Sequence, residues 1–242
     1  MISTESHGPV TVVAIDRDAQ RNALDIDHCR ALRSALDDAV AASARVVVIT
    51  GRGSSFCSGA DLDAVYGQGF RDALYGLLGA IAAAPAVVLA AINGPAIGAG
   101  TQLAIACDLR VADETAVFAV PTAALGLAVD PWTARRLAEV AGGSAARRML
   151  LAAERISAAE AVRCGLVDHL GGPGDAMQRA EAIAALAPLS LRYSKAALNA
   201  APAAGPSTAE LEAAFQACWD SADLQEGRLA RSERRPPRFE GR

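Results

Sequence analysis

The sequence predicts an α/β core followed by a helical C-terminal part. Three observations carry this expectation. Short apolar runs, Val10 to Ile15, Val46 to Thr50 and Val87 to Ile92, alternate with helix-period stretches through the first half of the chain. After about Pro131 the strand-like runs stop and almost every segment reads as helix. The composition is 52% hydrophobic but only 4% aromatic, which calls for a core of Ala, Val, Leu and Ile with helices packed closely on small residues. At 242 residues one large domain is the simplest organisation, with residues 1–200 as its core and 201–242 as a C-terminal helical region of the same fold.

Taken in order, Val10 to Ile15 reads as a strand. Asp25 to Ala42 reads as a helix, because Ile26, Cys29, Leu32, Leu36 and Ala39 recur at helical spacing and Asp25 can cap it. Val46 to Thr50 and Val87 to Ile92 are continuous apolar runs of the kind buried on both faces of a sheet. Leu62 to Ala83 reads as mostly helix, stopping before Pro85. Gly100 to Cys107 is a short helix and Leu109 to Ala112 a strand. Beyond Pro131 helices are expected over Trp132 to Val140, Ser144 to Ala153, Ser157 to Cys164, Asp175 to Leu186, Ser190 to Asn199 and Thr208 to Arg235, punctuated by Pro188, Pro202 and Pro206.

Charge and cysteine usage exclude several function classes. The net charge is −4, from 23 basic and 27 acidic residues, which argues against general nucleic-acid binding. The basic residues concentrate late, at Arg228, Arg231, Arg234, Arg235 and Arg238, and read as a solvated or intersubunit helix rather than a phosphate patch. Cys29, Cys57, Cys107, Cys164 and Cys218 are odd in number and scattered, with no metal-ligand spacing, so a reducing cytoplasm is expected and no metal. Residues 1–8 carry no signal-peptide features. Ala73 to Cys107 holds no charged residue, but Pro85, Asn93, Gly94, Pro95, Gly98 and Gly100 divide it into pieces too short to span a membrane.

The candidate site is a pair of loops. Phe56-Cys57-Ser58-Gly59-Ala60-Asp61-Leu62 follows one apolar strand, and Asn93-Gly94-Pro95-Ala96-Ile97-Gly98-Ala99-Gly100 follows another. Both lead into helices. Small residues let the backbone approach a ligand closely, and N–H groups at helix N-termini stabilise a carbonyl oxygen that gains negative charge. By themselves such loops are equally well read as tight turns between packed elements. Gly98-Ala99-Gly100 lacks the third glycine of a dinucleotide fingerprint. Cys57 is expected to fill space rather than act as a nucleophile, since no histidine lies near it in sequence.

Further motifs come in order with these loops: Arg21-Asn22-Ala23-Leu24 before them, then Ala106-Cys107-Asp108-Leu109-Arg110, Phe118 to Leu127, Ile156 to Ala161 and Gly165-Leu166-Val167. The series resembles the enoyl-CoA hydratase/isomerase, or crotonase, superfamily, from about Val10 to Gly205. The resemblance implies a spiral of ββα turns with a helical C-terminal trimerisation region, and a homotrimer or hexamer. It implies an acyl-CoA thioester as ligand, with no cofactor beyond the coenzyme A it carries. It places oxyanion donors at the backbone N–H of Ser58 and Ala99. Coenzyme contacts fall at Arg21, Ala23, Gly59, Ala60, Asp61 and Leu62, and pocket positions at Gly98, Gly100 and Trp132. Asp61 is equally well read as the cap of the following helix, and Trp132 as lining an acyl pocket or filling core.

Against that pattern, both positions where the family's hydratases carry catalytic glutamates are replaced, by Gln102 and Thr122. Neither side chain is a base at neutral pH, though both can orient water or ligand by hydrogen bonding. Asp130 is the remaining carboxylate near the expected cleft, and it reads as the cap of a helix starting at Pro131 or, alternatively, as an active acid. Asp108 reads as structural, paired with Arg110, and His28 as facing solvent or a neighbour. The Gly-Ala-Gly-x-Gln loop, the Pro-Thr pair and the ending Arg235 to Phe239 are most similar to a mycobacterial-type branch lacking the hydratase glutamates and linked to mycolic-acid synthesis. Two functions compete: an acyl-CoA-binding protein that serves fatty-acid synthesis enzymes, and an enzyme (hydratase, isomerase or thioesterase) using Asp130 or bound water.

Overall fold

A computed structural model describes residues 1–61, 68–199, 216, 219–235 and 237. The expected start of the second helix, Leu62, and much of the C-terminal tail, including Leu211, Phe215 and Cys218, lie outside the described residues. The first half runs β1 (Ile2–His7), β2 (Val10–Ile15), α1 (Ile26–Ala41), β3 (Val46–Gly51), α2 (Gln68–Ala83), β4 (Val87–Ile92), β5 (Ala96–Ile97), α3 (Ala99–Ala106), β6 (Leu109–Ala112) and β7 (Val117–Ala119). The second half is mainly helical: α4 (Pro131–Leu151), β8 (Ile156–Ser157), α5 (Ala158–Cys164), β9 (His169–Leu170), α6 (Pro173–Ala184), α7 (Pro188–Asn199) and α8 (Ala222–Ser232).

The main sheet has the order β1-β2-β3-β4-β6-β9, parallel except for the β1–β2 hairpin. Strand β4 is apolar at every position, and β3 from Val46 to Ile49, because both faces of the sheet are covered there. Val13, Ile15, Val47, Ile49, Val88 and Ala90 face a core shared with α1 and α2, while Val10, Val46, Val48, Val87 and Leu89 face Ala176, Ala180 and Ala184 of α6. Alternation across the pleat sends successive residues to opposite helical layers.

A second, smaller sheet pairs β5, β7 and β8, and isolated bridges extend it through Cys57–Ala96 and Leu24–Ala60. Four strands of the main sheet are thus each followed by a short strand-like piece of the second sheet and then a helix: β2, Leu24, α1; β3, the 57–60 loop, α2; β4, β5, α3; β6, β7, α4. These repeated ββα units with C-terminal helices are the expected crotonase architecture.

Helix ends follow local chemistry. Asp25 caps α1 by accepting from the His28 N–H at 2.9 Å. His28 is largely covered, 2.7 Å from Asp25 Oδ1 and 3.3 Å from the Met1 amino group, so of the two expected settings it faces neighbouring groups rather than solvent. Pro131 occupies the first turn of α4, and Gly142, at φ 76°, breaks that helix where two separate helices were expected. The single helix expected over Thr208 to Arg235 does not form. Ser221 is extended and caps α8 by accepting from the Leu224 N–H at 3.2 Å.

Arg110 does not pair with the Asp108 carboxylate. It bonds the Asp168 carboxylate at 3.2 Å and donates to the backbone carbonyls of Leu166 and Cys107, because its side chain reaches across to the chain segment after α5. Asp108 instead meets Lys195 of α7 at 2.8 Å and accepts from the Val88 N–H at 2.7 Å. Lys195 also donates to the carbonyls of Ile81 and Ala86, so all three ammonium protons have acceptors in a buried site. Burial pushes the Asp108 carboxyl up, against the pull of Lys195. Removing one partner of such a pair strands the other charge. Lys195→Met is expected to lower folding stability by about 3–5 kcal/mol, read as a fall in the urea midpoint with an unchanged slope.

Candidate functional site

The two loops meet edge to edge. Asn22, buried and at φ 58°, organises the first of them: its Nδ2 donates to the carbonyls of Arg52 and Ser55, and its Oδ1 accepts from the Arg17 N–H. Its backbone geometry is one that asparagine tolerates better than most residues. Gly100 lets the second loop close on the first, since a Cβ there would stand 2.1 Å from the Cys57 carbonyl oxygen. Gly59, at φ 111°, leaves room of the same kind: its Cβ would lie 2.9 Å from the Ile97 carbonyl oxygen.

This packing decides which N–H groups remain available. The Ser58 N–H, expected to be an oxyanion donor, is engaged with the Arg21 carbonyl at 3.0 Å. Leu24 takes the next two bonds, its N–H donating to Gly59 O at 2.8 Å and its carbonyl accepting from the Asp61 N–H at 2.6 Å. Strand alternation turns the Ala60 N–H the other way. Among the described residues it meets no acceptor, so Ala60, not Ser58, presents the open donor of this loop. In the second loop Ala99 is the first residue of α3, where helix geometry leaves the N–H unpaired. That nitrogen lies 3.9 Å from the point where a Gly59 Cβ would stand, so both open donors border the junction of the two loops.

The junction opens into a cavity of about 840 Å³. Arg21, Ala23, Ser58, Gly59, Ala60, Asp61, Gly98, Ala99, Gln102 and Thr122 all line it. Gly100 does not, because it packs on the Cys57 backbone, and Trp132 does not, because it packs against the core. Asp61 is paired with Arg17 at 2.9 Å, and the described part of α2 runs from Gln68 to Ala83. Asp130 is off the wall as well. Its carboxylate caps α4, accepting from the Trp132 N–H at 3.1 Å, the Thr133 N–H at 3.3 Å and the Thr133 hydroxyl. Burial pushes the Cys57 thiol up to about 12, so it stays protonated and is no nucleophile at neutral pH.

The cavity field is positive. Among the described lining residues, Arg21, Arg71, Arg155 and Arg231 stand against the single carboxylate of Asp61, and there is no histidine. Arg71 of α2 stacks on Trp219, with its guanidinium carbon 3.8 Å from the ring centre. Arg231 comes from α8, which packs over the 122–127 segment so closely that a Cβ on Gly227 would stand 2.3 Å from Leu125 O. The late basic cluster therefore supplies one residue to the site, which the sequence reading placed in a solvated or intersubunit helix. The signal that could have found it is Gly227 itself, a glycine inside a helix and spaced three residues from both Leu224 and Ala230 on its buried face.

A wall with two open backbone donors, cationic side chains and an apolar interior suits a thioester bearing a polyphosphate tail. The family described as enoyl-CoA hydratase/isomerase matches residues 5–242. The chain belongs to this family. It is 42% identical, over the whole of both chains, to a Mycobacterium tuberculosis protein named "Probable enoyl-CoA hydratase echA6". It is 31% identical to the short-chain-enoyl-CoA hydratase of Clostridium acetobutylicum, over 96% of this chain and 94% of that one. Among solved structures, carnitinyl-CoA hydratase from Mycobacterium avium superposes with a TM-score of 0.85 at 30% identity, covering 100% of this chain and 98% of that one. As a member of the family, the chain is an acyl-CoA-binding protein. No helix among the described residues is long and apolar enough to cross a membrane.

Proposed function

We propose that this protein holds fatty acyl-CoA thioesters by their carbonyl oxygen, between the N–H groups of Ala60 and Ala99, and does not hydrate them. The observation that carries the reading is the wall around Gln102 and Thr122. Hydration needs a group that takes a proton from water and one that manages the proton at the α-carbon. The only carboxylate among the described lining residues, Asp61, is tied to Arg17. Gln102 and Thr122 orient but do not transfer protons at neutral pH. The alternative, turnover through Asp130, loses support because that carboxylate caps α4 and does not reach the wall.

The finer placement rests on the family resemblance and on the 42% identity with the mycobacterial protein. The protein serves fatty-acid and mycolic-acid metabolism in the cytoplasm, delivers its thioester to fatty-acid synthesis enzymes, and works as a trimer or hexamer. Residues 1–200 serve as the acyl-CoA-binding core, with 201–242 as a C-terminal helical region of the same fold. Titration calorimetry with acyl-CoAs of increasing chain length, run beside a crotonyl-CoA hydration assay, tests the function. Saturable binding with no hydration is the expected result. Turnover at rates usual for enzymes, roughly 1–10³ per second, would overturn the reading.

A further inference from the structure

We propose that Thr133 and Asp130 fix the Gln102 amide with its nitrogen toward Thr133 and its carbonyl oxygen toward the cavity, so that the site selects acyl groups bearing a hydroxyl near the thioester over those bearing an oxo group. The inference deepens the carrier function proposed above and rests on it.

One proton decides how the amide is turned. The Thr133 hydroxyl is fully buried and has a single hydrogen to give. Two oxygen acceptors adjoin its Oγ1: Asp130 Oδ1 in a short hydrogen bond, and Gln102 Oε1 at 3.5 Å. The carboxylate is the stronger acceptor and the closer one, so the proton goes to Asp130. Asp130 is itself held in place as the α4 cap by the N–H groups of Trp132 and Thr133. What Thr133 then presents to Gln102 is a lone pair. An amide oxygen facing that lone pair gains nothing. An amide turned by 180° about its last bond keeps its shape and donates Nε2–H to Thr133 Oγ1. Its oxygen is thereby directed away from Thr133, and Gln102 lines the cavity.

Helix geometry sets where that oxygen acts. Gln102 lies three residues after Ala99 in α3, on the same face, and helical side chains lean back toward the N-terminus. A thioester whose carbonyl oxygen meets the Ala99 N–H therefore carries its first acyl carbons past the Gln102 side chain. There it finds an acceptor. A β-hydroxyl can donate to it, whereas a β-oxo oxygen sets acceptor against acceptor.

Calorimetric titration with β-hydroxydecanoyl-CoA, β-oxodecanoyl-CoA and decanoyl-CoA provides the test. The wild type is expected to prefer the hydroxyacyl over the oxoacyl ligand by roughly five- to tenfold, the scale of one net hydrogen bond. Thr133→Val removes the lone pair that orients the amide, and Gln102→Met removes the amide itself with little change in volume. Each should bring the ratio to within about twofold. Thr133→Ser restores the hydroxyl and should restore the preference, which a merely structural role for Thr133 would not require. If Thr133→Val does not fold, Gln102→Met and Thr133→Ser carry the same comparison. Wild type that binds decanoyl-CoA but shows no preference, or a preference that survives Gln102→Met, overturns this inference and leaves the carrier function standing. Failure to bind any of the three overturns the carrier function itself.

Discussion

Ala99→Pro is expected to weaken acyl-CoA binding by at least about tenfold, the scale of one net hydrogen bond, while leaving the fold intact. Ala99 is the first residue of α3, and proline is well tolerated there because its missing N–H has no partner within the helix. The same absence removes one of the two open donors that border the cavity. The pyrrolidine ring also occupies the space in front of the former N–H, where the thioester oxygen is proposed to sit. Ala99→Ser keeps the donor, and affinity within about threefold of wild type is expected, a change smaller than one net hydrogen bond. The measurement is acyl-CoA affinity by calorimetry, with circular dichroism and the urea midpoint as the check on folding. Unchanged affinity in a folded proline variant would remove Ala99 from the site.

How far the sequence led depends on how local each signal is. Strands β2, β3 and β4 were legible because both of their faces are buried, which leaves continuous apolar runs. The expected α1 was legible from its period and from Asp25. Strand β1 was not read, because Ile2–His7 pairs on one side only, is mostly exposed and carries a single apolar residue. The break at Ser221 was missed because helix-forming residues flank it on both sides. Its cue was a serine three residues before Leu224, whose N–H it accepts.

The site was legible as two loops, but not in its detail. Which N–H of Ser58-Gly59-Ala60 opens to the cavity depends on pairing with Leu24 and Arg21, more than thirty residues earlier in the chain. Likewise, Arg110 was matched with its sequence neighbour Asp108, when its carboxylate partner is Asp168. Contacts between distant segments set both outcomes. By contrast, the capping reading of Asp130 needed only the residue that follows it, Pro131, and the structure shows that cap.

Installing both missing carboxylates, as Gln102→Glu with Thr122→Glu, is expected to create measurable crotonyl-CoA hydration. Each positioned acid or base contributes roughly 10²–10⁴-fold, so a rise of at least about 10²-fold over wild type is expected even if the geometry is imperfect. Each single variant should gain little, because water attack and proton delivery need both groups and groups acting as a unit are not additive. The pH dependence is a sharper check. A glutamate at position 102 would share the Thr133 hydroxyl with the Asp130 carboxylate, and that hydroxyl has one proton for two acids. The nearby like charge raises the pKa of the new carboxyl. A general base works only when deprotonated, so hydration by the double variant should rise with pH through that elevated pKa, higher than for an isolated glutamate. Hydration by the double variant with no such rise would place the base elsewhere. A double variant that binds acyl-CoA and remains inactive would show that cavity shape, rather than the two replaced side chains, keeps this member of the family from hydrating its ligand.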